Sequence, residues 1–568
     1  MSEGLSSKVS QALSAPVRPF LKGRRSEVAD NIARAPLAIW PSDPWPSQSN
    51  YGQWLLSGLA QYPAGFEAGV DAFWSVAACA ERHNFSWLYD LKAMGGEQAR
   101  KSARVLVASW VERYGAYKKR PKTSRAFADN KVIAKRCMAL LRTYDFHGAS
   151  ATDSYQSLVS LILNQDASFI YKRLSGGLVN VTGGRDYLLE AAALLNIALC
   201  LSADPDMTRD PKVMTWIEVA TKSFIEALDV QILEDGGHIT RNPEKLVEIS
   251  RHCLDIRRLF SAVNMACPSE IQHGIDRMAQ ALKFFRYTDK NLAVFHGGQE
   301  SYDKILDLIL HQVGQNKKIV KSLPNSKYER LTQGRTTIMM DVGNAPPTPF
   351  DRHAHFAPLA FELSHGRDRI VVNCGTHTNN DLWRDALRRT SAHSTLTLGN
   401  RDVMSAREDG SIRAKPSQVL SERSEHKGAI LLEAMHDGYS FGEGAKKQAK
   451  HIRRLYVSDK GQDIRGEDSL YSSAACEEDM EVAIRFHLHP RVRVSLVRNG
   501  DMALLRLFSG VGWRFQCSGA QIHIEDSIYM GDGMQASVPI KTKQLVLKFS
   551  VLSGSCGDQV KWAFQRDA

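Results

Sequence analysis

Cysteine pairs of the kind that close disulfides or hold zinc are missing from this sequence. Its nine cysteines are scattered, odd in number and never spaced as Cys-x-x-Cys. The pattern predicts reduced thiols and argues against a disulfide framework or a cysteine-rich zinc site.

Long apolar runs are also missing. No stretch is long enough to cross a bilayer. The first residues, 1–27, include basic side chains but lack the apolar centre of a secretory signal. We therefore expect a cytoplasmic protein with no transmembrane segment.

Positive charge is in only modest excess, because the formal net charge is +11 on 568 residues. A basic cleft would concentrate an anionic partner, although a generally basic surface is the simpler explanation. The basic residues form no recognisable DNA- or RNA-binding module, so we expect no nucleic-acid partner.

The glycines at 176–184 lack the strand and spacing of a nucleotide-binding loop, so we expect no nucleotide or organic cofactor.

The spacing at which hydrophobic residues recur changes once along the chain. Residues 1–30 form a basic tail that we expect to be poorly ordered. From about 50 to 310, apolar residues recur at helical spacing, which predicts a helical domain over 31–318 built from antiparallel helix pairs. After a linker at 316–327, short β-rich runs between turn residues predict an antiparallel sandwich or barrel over 326–568.

Polar residues stand at the ends of three predicted strands between 352 and 399. His353 and His355 precede the first strand, Asn373 follows the second, and His393 precedes the third. Such side chains can converge on a metal or an acid/base centre, or they can simply cap strand ends. Residues one apart on a strand point to opposite faces, so His353 and His355 share a site only if the backbone turns or bulges there.

These segments resemble the C-terminal domain of the heparinase II/III-like polysaccharide lyases. The family's HxHxD-x-LSFEL, apolar-apolar-Asp-x-Gly and A-H-N-T-L segments are similar to those beginning here at His353, Val371 and Ala392. In the helical half, residues 235–238 (Asp-Gly-Gly-His) resemble the turn before the family's catalytic helix. The resemblance implies an α/α toroid, an incomplete helical barrel, followed by a β-sandwich.

The resemblance also implies roles for residues of the β half. His353 falls on the active-site histidine of the family. His355, Asn373 and His393 fall on its three metal-ligand positions, which implies a divalent metal such as zinc. Asn373 stands where the family has aspartate, and losing that charge should weaken zinc binding. Ala357 replaces a second carboxylate.

The implied chemistry is β-elimination on an acidic, uronate-containing polysaccharide in the cleft between the two domains. It needs a base, a group that neutralises the uronate carboxylate, and an acid. We predict His238 as a second acid/base candidate, Arg241 as the neutralising clamp and Asp235 as a substrate contact. The simpler alternative for this turn is an ordinary capped helix entry, with Pro243 at the first helical position. Lys245 occupies the position of the family's catalytic tyrosine.

Two further residues are substrate-binding candidates. Tyr187 could replace the missing acid, although a core aromatic is the simpler interpretation. Arg388 could bind a polyanion, or it could belong to the solvated face of a short helix. The family's Asn-Asn-His segment is not matched in 183–193.

Two functions of different class follow. The first is a polysaccharide lyase of the bacterial cell envelope or periplasm, as the family resemblance suggests. The second is a glycan-binding or envelope-assembly protein that kept the scaffold and lost the chemistry, which fits a chain without a signal peptide better.

Overall fold

The computed structural model describes most of the chain in thirteen ranges. They are residues 37–43, 45, 49–75, 80–114, 129–176, 186–205, 210–300, 303–313, 318–377, 380–441, 447–497, 500–532 and 538–567. The predicted tail at 1–30 lies outside them.

The chain forms two compact units. The first unit comprises residues 1–228 and 252–272, and the second comprises 229–251 and 273–568. The second unit therefore includes chain that the sequence had grouped with the helical half, notably the turn that carries His238 and Arg241.

Helices fill the described chain before the first strand, where thirteen are present. They are α1 (Ser49–Ala60), α2 (Phe66–Ser75), α3 (Ala80–His83), α4 (Trp87–Met94), α5 (Gly96–Tyr114), α6 (Asn130–Arg142), α7 (Tyr144–His147), α8 (Asp153–Ser175), α9 (Asp186–Ser202), α10 (Pro211–Gln231), α11 (Pro243–Ala262), α12 (Ser269–Phe285) and α13 (Asp303–Val313). None of these helices is long and apolar enough for a bilayer span.

Local signals and burial explain individual helices of the first unit. Asp129 caps α6, accepting hydrogen bonds from the backbone N–H groups of Lys131 and Val132. Helix α9 is apolar on nearly all sides and is buried along almost its whole length, as expected of a helix enclosed by others. The ion pair of Arg136 with Asp166 is fully buried between α6 and α8.

Antiparallel strands and one short helix make up the rest. They are β1 (Ser322–Leu323), β2 (Tyr328–Gln333), β3 (Thr336–Asp341), β4 (Phe361–His365), β5 (Asp368–Val372), α14 (Asp381–Arg388), β6 (Leu396–Leu398), β7 (Ser405–Ala406), β8 (Ile412–Ala414), β9 (Val419–His426), β10 (Ala429–Phe441), β11 (Lys447–Val457), β12 (Asp463–Ser472), β13 (Met480–Leu488), β14 (Arg493–Val497), β15 (Met502–Arg506), β16 (Gly512–Ser518), β17 (Gln521–Tyr529), β18 (Ile540–Val551) and β19 (Gly557–Arg566).

Within the described residues the strands form two large sheets. One has nine strands in the order β1-β2-β3-β4-β5-β13-β18-β17, with β6 also pairing with β13. The other has eight, in the order β14-β15-β16-β19-β12-β11-β10-β9, and β7 and β8 form a separate pair.

Aromatic rings from both large sheets meet in the core of the second unit. Trp562 of the eight-stranded sheet stacks on Phe361 at 5.8 Å and meets Phe486 edge-on at 4.8 Å, both rings lying in the nine-stranded sheet. Gly466 lies opposite Trp562, and a Cβ at this glycine would overlap the indole ring. Two sheets packed face to face confirm the predicted β-sandwich, and the helices before them confirm the predicted fold class.

All eight cysteines within the described ranges are free thiols. Cys79 lies outside those ranges.

Candidate functional site

Three buried histidines from distant parts of the second unit form a cluster. The ring centroids of His296 and His355 lie 6.0 Å apart, and those of His355 and His393 lie 4.8 Å apart. The three residues are 5%, 3% and 2% exposed. We call this group the histidine cluster.

Hydrogen bonds define the ring protonation of the outer members. The backbone N–H of His355 donates to His296 Nδ1 at 3.2 Å, so the ring proton of His296 lies on Nε2. That Nε2 donates to Asp341 Oδ2 at 2.8 Å. His393 Nε2 donates to the Leu387 carbonyl at 3.2 Å. His355 Nδ1 is buried and has no hydrogen-bond partner among the described residues.

The surroundings keep the cluster neutral. Burial, and then the neighbouring His393, lower the pKa of His355 well below its usual value. Burial lowers the pKa of His393 to about 3. Burial also lowers the pKa of His296, although Asp341 opposes the shift. Burial alone would raise the pKa of the Asp341 carboxyl, but Arg241 and His296 outweigh it and lower that pKa. The site thus combines neutral imidazoles with one ionised carboxylate.

Arg241 lies beside this carboxylate, and every N–H group of its guanidinium has a protein acceptor. The acceptors are the carbonyls of Ser326, Lys327 and Asn344 and both carboxylate oxygens of Asp341. Its plane also covers the ring of Tyr328 at 4.7 Å. Arg241 is only 6% exposed and has a left-handed backbone, with φ of 62°. The side chain is therefore fixed by the protein itself.

His238 and Asp235 are held just as firmly. His238 Nδ1 accepts from the Thr240 backbone N–H at 3.1 Å, and Nε2 donates to Gln231 Oε1 at 3.2 Å. The Asp235 carboxylate accepts four hydrogen bonds, one from Gly237 and three from the backbone and hydroxyl groups of residues 325–326. Asp235 thus holds the turn before α11 to the chain entering β2, and His238 holds the same turn to Gln231 at the end of α10.

His353 and His355 lie in a turn rather than in a strand, because β4 begins only at Phe361. The backbone therefore turns here, as is required if His353 and His355 are to share a site. His353 is half-buried, and its proximity is one of the smaller causes of the lowered pKa of His355.

The remaining substrate-binding candidates are enclosed by protein. Arg388 is 4% exposed, donates to the carbonyls of Ala354 and Gly410 at 2.9 Å each, and covers the ring of Phe356 at 5.0 Å. Tyr187 is 5% exposed within α9 of the first unit. The structure brings His355, Arg388 and the Asp341–Arg241 pair into one buried region of the second unit.

The predicted metal ligands do not fit a zinc ion. No three histidine, cysteine or acidic side chains within the described ranges are arranged to hold a metal, so the prediction depends on Asn373. Its side-chain oxygen accepts from the Ser394 N–H at 3.2 Å, and its amide nitrogen faces the Val294 carbonyl at 3.3 Å. An amide oxygen that already accepts one hydrogen bond has a single lone pair left and carries no negative charge, so it is a poorer zinc ligand than the aspartate of the family. A divalent metal at these residues stays a prediction.

Sequence reasoning missed three buried polar residues of this region. They are His296, Asp341 and Glu362. The only local signal was His296-Gly297-Gly298, where φ of 47° at His296 and 83° at Gly297 mark a tight turn. A Cβ at Gly297 would lie 3.8 Å from His355 Nε2.

The second unit, which contains the histidine cluster, is similar to a domain found in known proteins. Residues 315–563 match the heparinase II/III-like C-terminal domain. The C-terminal part of the chain is therefore similar to the heparinase II/III-like proteins in this domain.

Solved structures of the same architecture are similar along nearly the whole chain. Heparinase III superposes with a TM-score of 0.68 at 13% identity, covering 99% of this chain and 89% of that one. Heparan sulfate lyase HepC from Pedobacter heparinus gives a TM-score of 0.57 at 13% identity, with 99% and 90% covered. At this level of identity the likeness establishes the fold alone.

A protein relative is similar in sequence over almost its full length. FtsZ-localized protein C of Caulobacter vibrioides (strain NA1000 / CB15N) is 28% identical over 549 residues, which span 93% of this chain and 89% of that protein.

Proposed function

We propose that this protein uses the heparinase-like scaffold to bind an acidic, uronate-containing glycan without cleaving it, in association with the FtsZ-dependent division apparatus. The family supplies the ligand class, and the full-length likeness to an FtsZ-localized protein supplies the cellular setting. A cytoplasmic location remains the expectation from the sequence, with the cell envelope as the alternative.

The proposal rests on Arg241, because every hydrogen-bond donor of its side chain is already occupied by the protein. β-Elimination requires a cation that neutralises the substrate carboxylate while negative charge develops beside it. The five N–H groups of Arg241 already have five acceptors, including both oxygens of Asp341. Recruiting this side chain would strand the buried Asp341 carboxylate, at a cost of about 2–3 kcal/mol.

The proton-transfer candidates support the same conclusion. His238 has protein partners on both ring nitrogens. Lys245, at the position of the family's tyrosine, is 2.5 Å from Glu248 Oε2. An acid or base must reach the substrate proton within hydrogen-bond distance, and neither group is free to do so without rearrangement.

Lyase activity is the second candidate, and His353 favours it. This half-buried histidine lies next to the neutral histidine cluster and matches the family's active-site histidine. In an active enzyme His353 would exchange the proton, and another residue would replace the tyrosine.

Ultraviolet absorbance and direct binding separate the two functions. The purified chain would be incubated with heparan, chondroitin, alginate and bacterial exopolysaccharides, and both product absorbance and affinity would be recorded. We expect affinity that falls as salt rises, with no absorbance from an unsaturated uronate.

The matched variants are His353→Ala and, as control, His311→Ala at an exposed position of α13. An absorbance increase that His353→Ala abolishes and His311→Ala retains would establish the lyase and overturn the proposal. Absence of both absorbance and binding would remove the glycan from the proposal altogether.

Association with FtsZ is tested separately. A fluorescent fusion should concentrate with FtsZ at the division site, and the purified chain should sediment with FtsZ polymers. A diffuse fusion that stays in the supernatant would contradict this part of the proposal.

A further inference from the structure

The outward face of the eight-stranded sheet carries an ordered row of side chains that the histidine cluster does not use. Leu431, Tyr456, Arg465, Ala563 and Gln516 are direct cross-strand neighbours on β10, β11, β12, β19 and β16. We call them the outer row. Their strand neighbours point inward, as the buried Leu432, Leu455, Ile464, Trp562 and Phe515 do.

A depression of about 350 Å³ lies along the outer row. Ala563 has the smallest side chain of the row, so the surface is hollow between Arg465 and Gln516. Leu431, 42% exposed, and the partly exposed Tyr456 border the hollow on one side. The volume is within the range of small-ligand sites, which begins near 300 Å³.

A second row lies on the same face, two residues away from the outer row along each strand, and it carries charges of both signs. Glu433, Arg454, Glu467 and Lys561 are successive cross-strand neighbours there. Arg454 is paired with Glu433 and, at 2.6 Å, with Glu467. Arg454 is therefore neutralised by the protein, and the two carboxylates are held as fixed acceptors.

Two exposed cations on this face retain capacity for a ligand. The Arg465 side chain is 64% exposed, and its only ion-pair partner among the described residues is Asp463 on its own strand. Lys561 is 61% exposed and lies 3.7 Å from Glu467. Both reach the depression, with Tyr456 adjacent to Arg465 in the row.

We propose that the outer row is a binding subsite for an acidic glycan, separate from the histidine cluster. The inference rests on the proposed function for its ligand class. A sugar ring lies on the face of Tyr456, a uronate carboxylate lies between Arg465 and Lys561, and the Gln516 amide bonds sugar hydroxyls.

The sheet geometry favours a glycan over a peptide. β11, β12 and β19 are each paired on both sides, so a peptide strand finds no free backbone groups to add to. The row crosses five strands spaced about 4.8 Å apart, which suits an extended ligand that bonds through side chains. The competing explanation is a solvated sheet face of mixed charge that binds nothing.

Affinity measurements on surface variants of the full chain test the subsite. The variants are the double substitution Arg465→Ala/Lys561→Ala and the single substitution Tyr456→Leu. The matched control is Lys543→Ala on β18 of the other sheet, where an exposed lysine also pairs with a carboxylate. The probes are alginate and chondroitin oligosaccharides, with neutral dextran and polyglutamate as comparison polymers.

We expect the double variant to bind the acidic oligosaccharides about tenfold more weakly, Tyr456→Leu to bind them several-fold more weakly, and Lys543→Ala to match the parent. Glycan binding that is unchanged in all variants would overturn the subsite and leave the proposed function intact. Equal binding of polyglutamate, insensitive to Tyr456→Leu, would also overturn it, because the surface would then be a general polyanion contact. A parent chain that binds no glycan overturns both.

Discussion

Two buried networks of the same residue types occur in the second unit, and they differ in what is left unsatisfied. In one, Arg241 and His296 bind Asp341, and His355 lies next to His296. In the other, Arg453 and His451 bind Asp468, and His436 lies next to His451.

The second network is complete. Asp468 accepts from Arg453, His451 and the Trp562 indole. His436 accepts from the Gly438 backbone N–H and contacts His451. Arg453, Asp468, His451 and His436 all lie on paired strands and are 0% exposed.

The first network lies largely on turns, and in the described part of the chain its buried His355 Nδ1 has no hydrogen-bond partner. Arg241 and His296 both have positive φ, a conformation that strains residues other than glycine. The same residue types thus form a fully bonded network on paired strands and leave a buried nitrogen of the neighbouring histidine unsatisfied on turns. Arg453 also joins the two regions, since it donates to the carbonyls of Leu359 and Ser394 beside the histidine cluster.

The largest expected loss of stability comes from breaking the network around Asp468. Arg453→Met should strand the fully buried Asp468 and lower the free energy of unfolding by about 3–5 kcal/mol in urea denaturation. Arg241→Met should cost less, about 2–3 kcal/mol, because turns can admit water to Asp341 more readily than strands can to Asp468. Arg413→Met at an exposed position of β8 is the control. Equal losses for Arg453 and Arg241 would remove the distinction between the networks.

A pH-dependent effect of intermediate size is expected at Glu362, a third buried carboxylate. Burial raises its pKa from 4.5 to about 7, and its Oε2 has no partner among the described residues. The raised folded-state pKa means that the charged form is disfavoured, so Glu362 reduces stability progressively as pH rises from about 4.5 through 7.

Glu362→Gln should therefore stabilise the protein at pH 8–9 relative to the parent, by up to roughly 3 kcal/mol. At pH 4 the two proteins should be nearly equal. Thermal unfolding across this pH range checks the prediction, and a constant difference at all pH values would contradict it.

The smallest effect is expected from a matched histidine pair. His355→Leu removes a buried nitrogen for which the described residues offer no partner, so the stability of the protein should change by less than about 1 kcal/mol. His436→Leu removes the partner of the Gly438 N–H and of His451 Nδ1, and should cost about 1–3 kcal/mol. A larger loss at His355 than at His436 would reveal a partner for its ring and reverse the comparison.

The sequence predicted the regular elements around the histidine cluster better than it predicted which residues the turns bring together. The period change predicted the helical and β halves, and the segments at His353, Val371 and Ala392 predicted where polar residues gather. Asp341 gave no such signal, because it is an ordinary strand-end residue until the fold brings Arg241 and His296 to it.

The sequence by itself determined the fold class and the resemblance of its C-terminal half to a known domain, because hydrophobic periodicity and short motifs are local properties of the chain. Only the tertiary structure decided that Arg241 is saturated, since its acceptors come from residues 326, 327, 341 and 344. Whether a buried donor is free depends on long-range hydrogen-bond geometry, and no local pattern encodes that geometry.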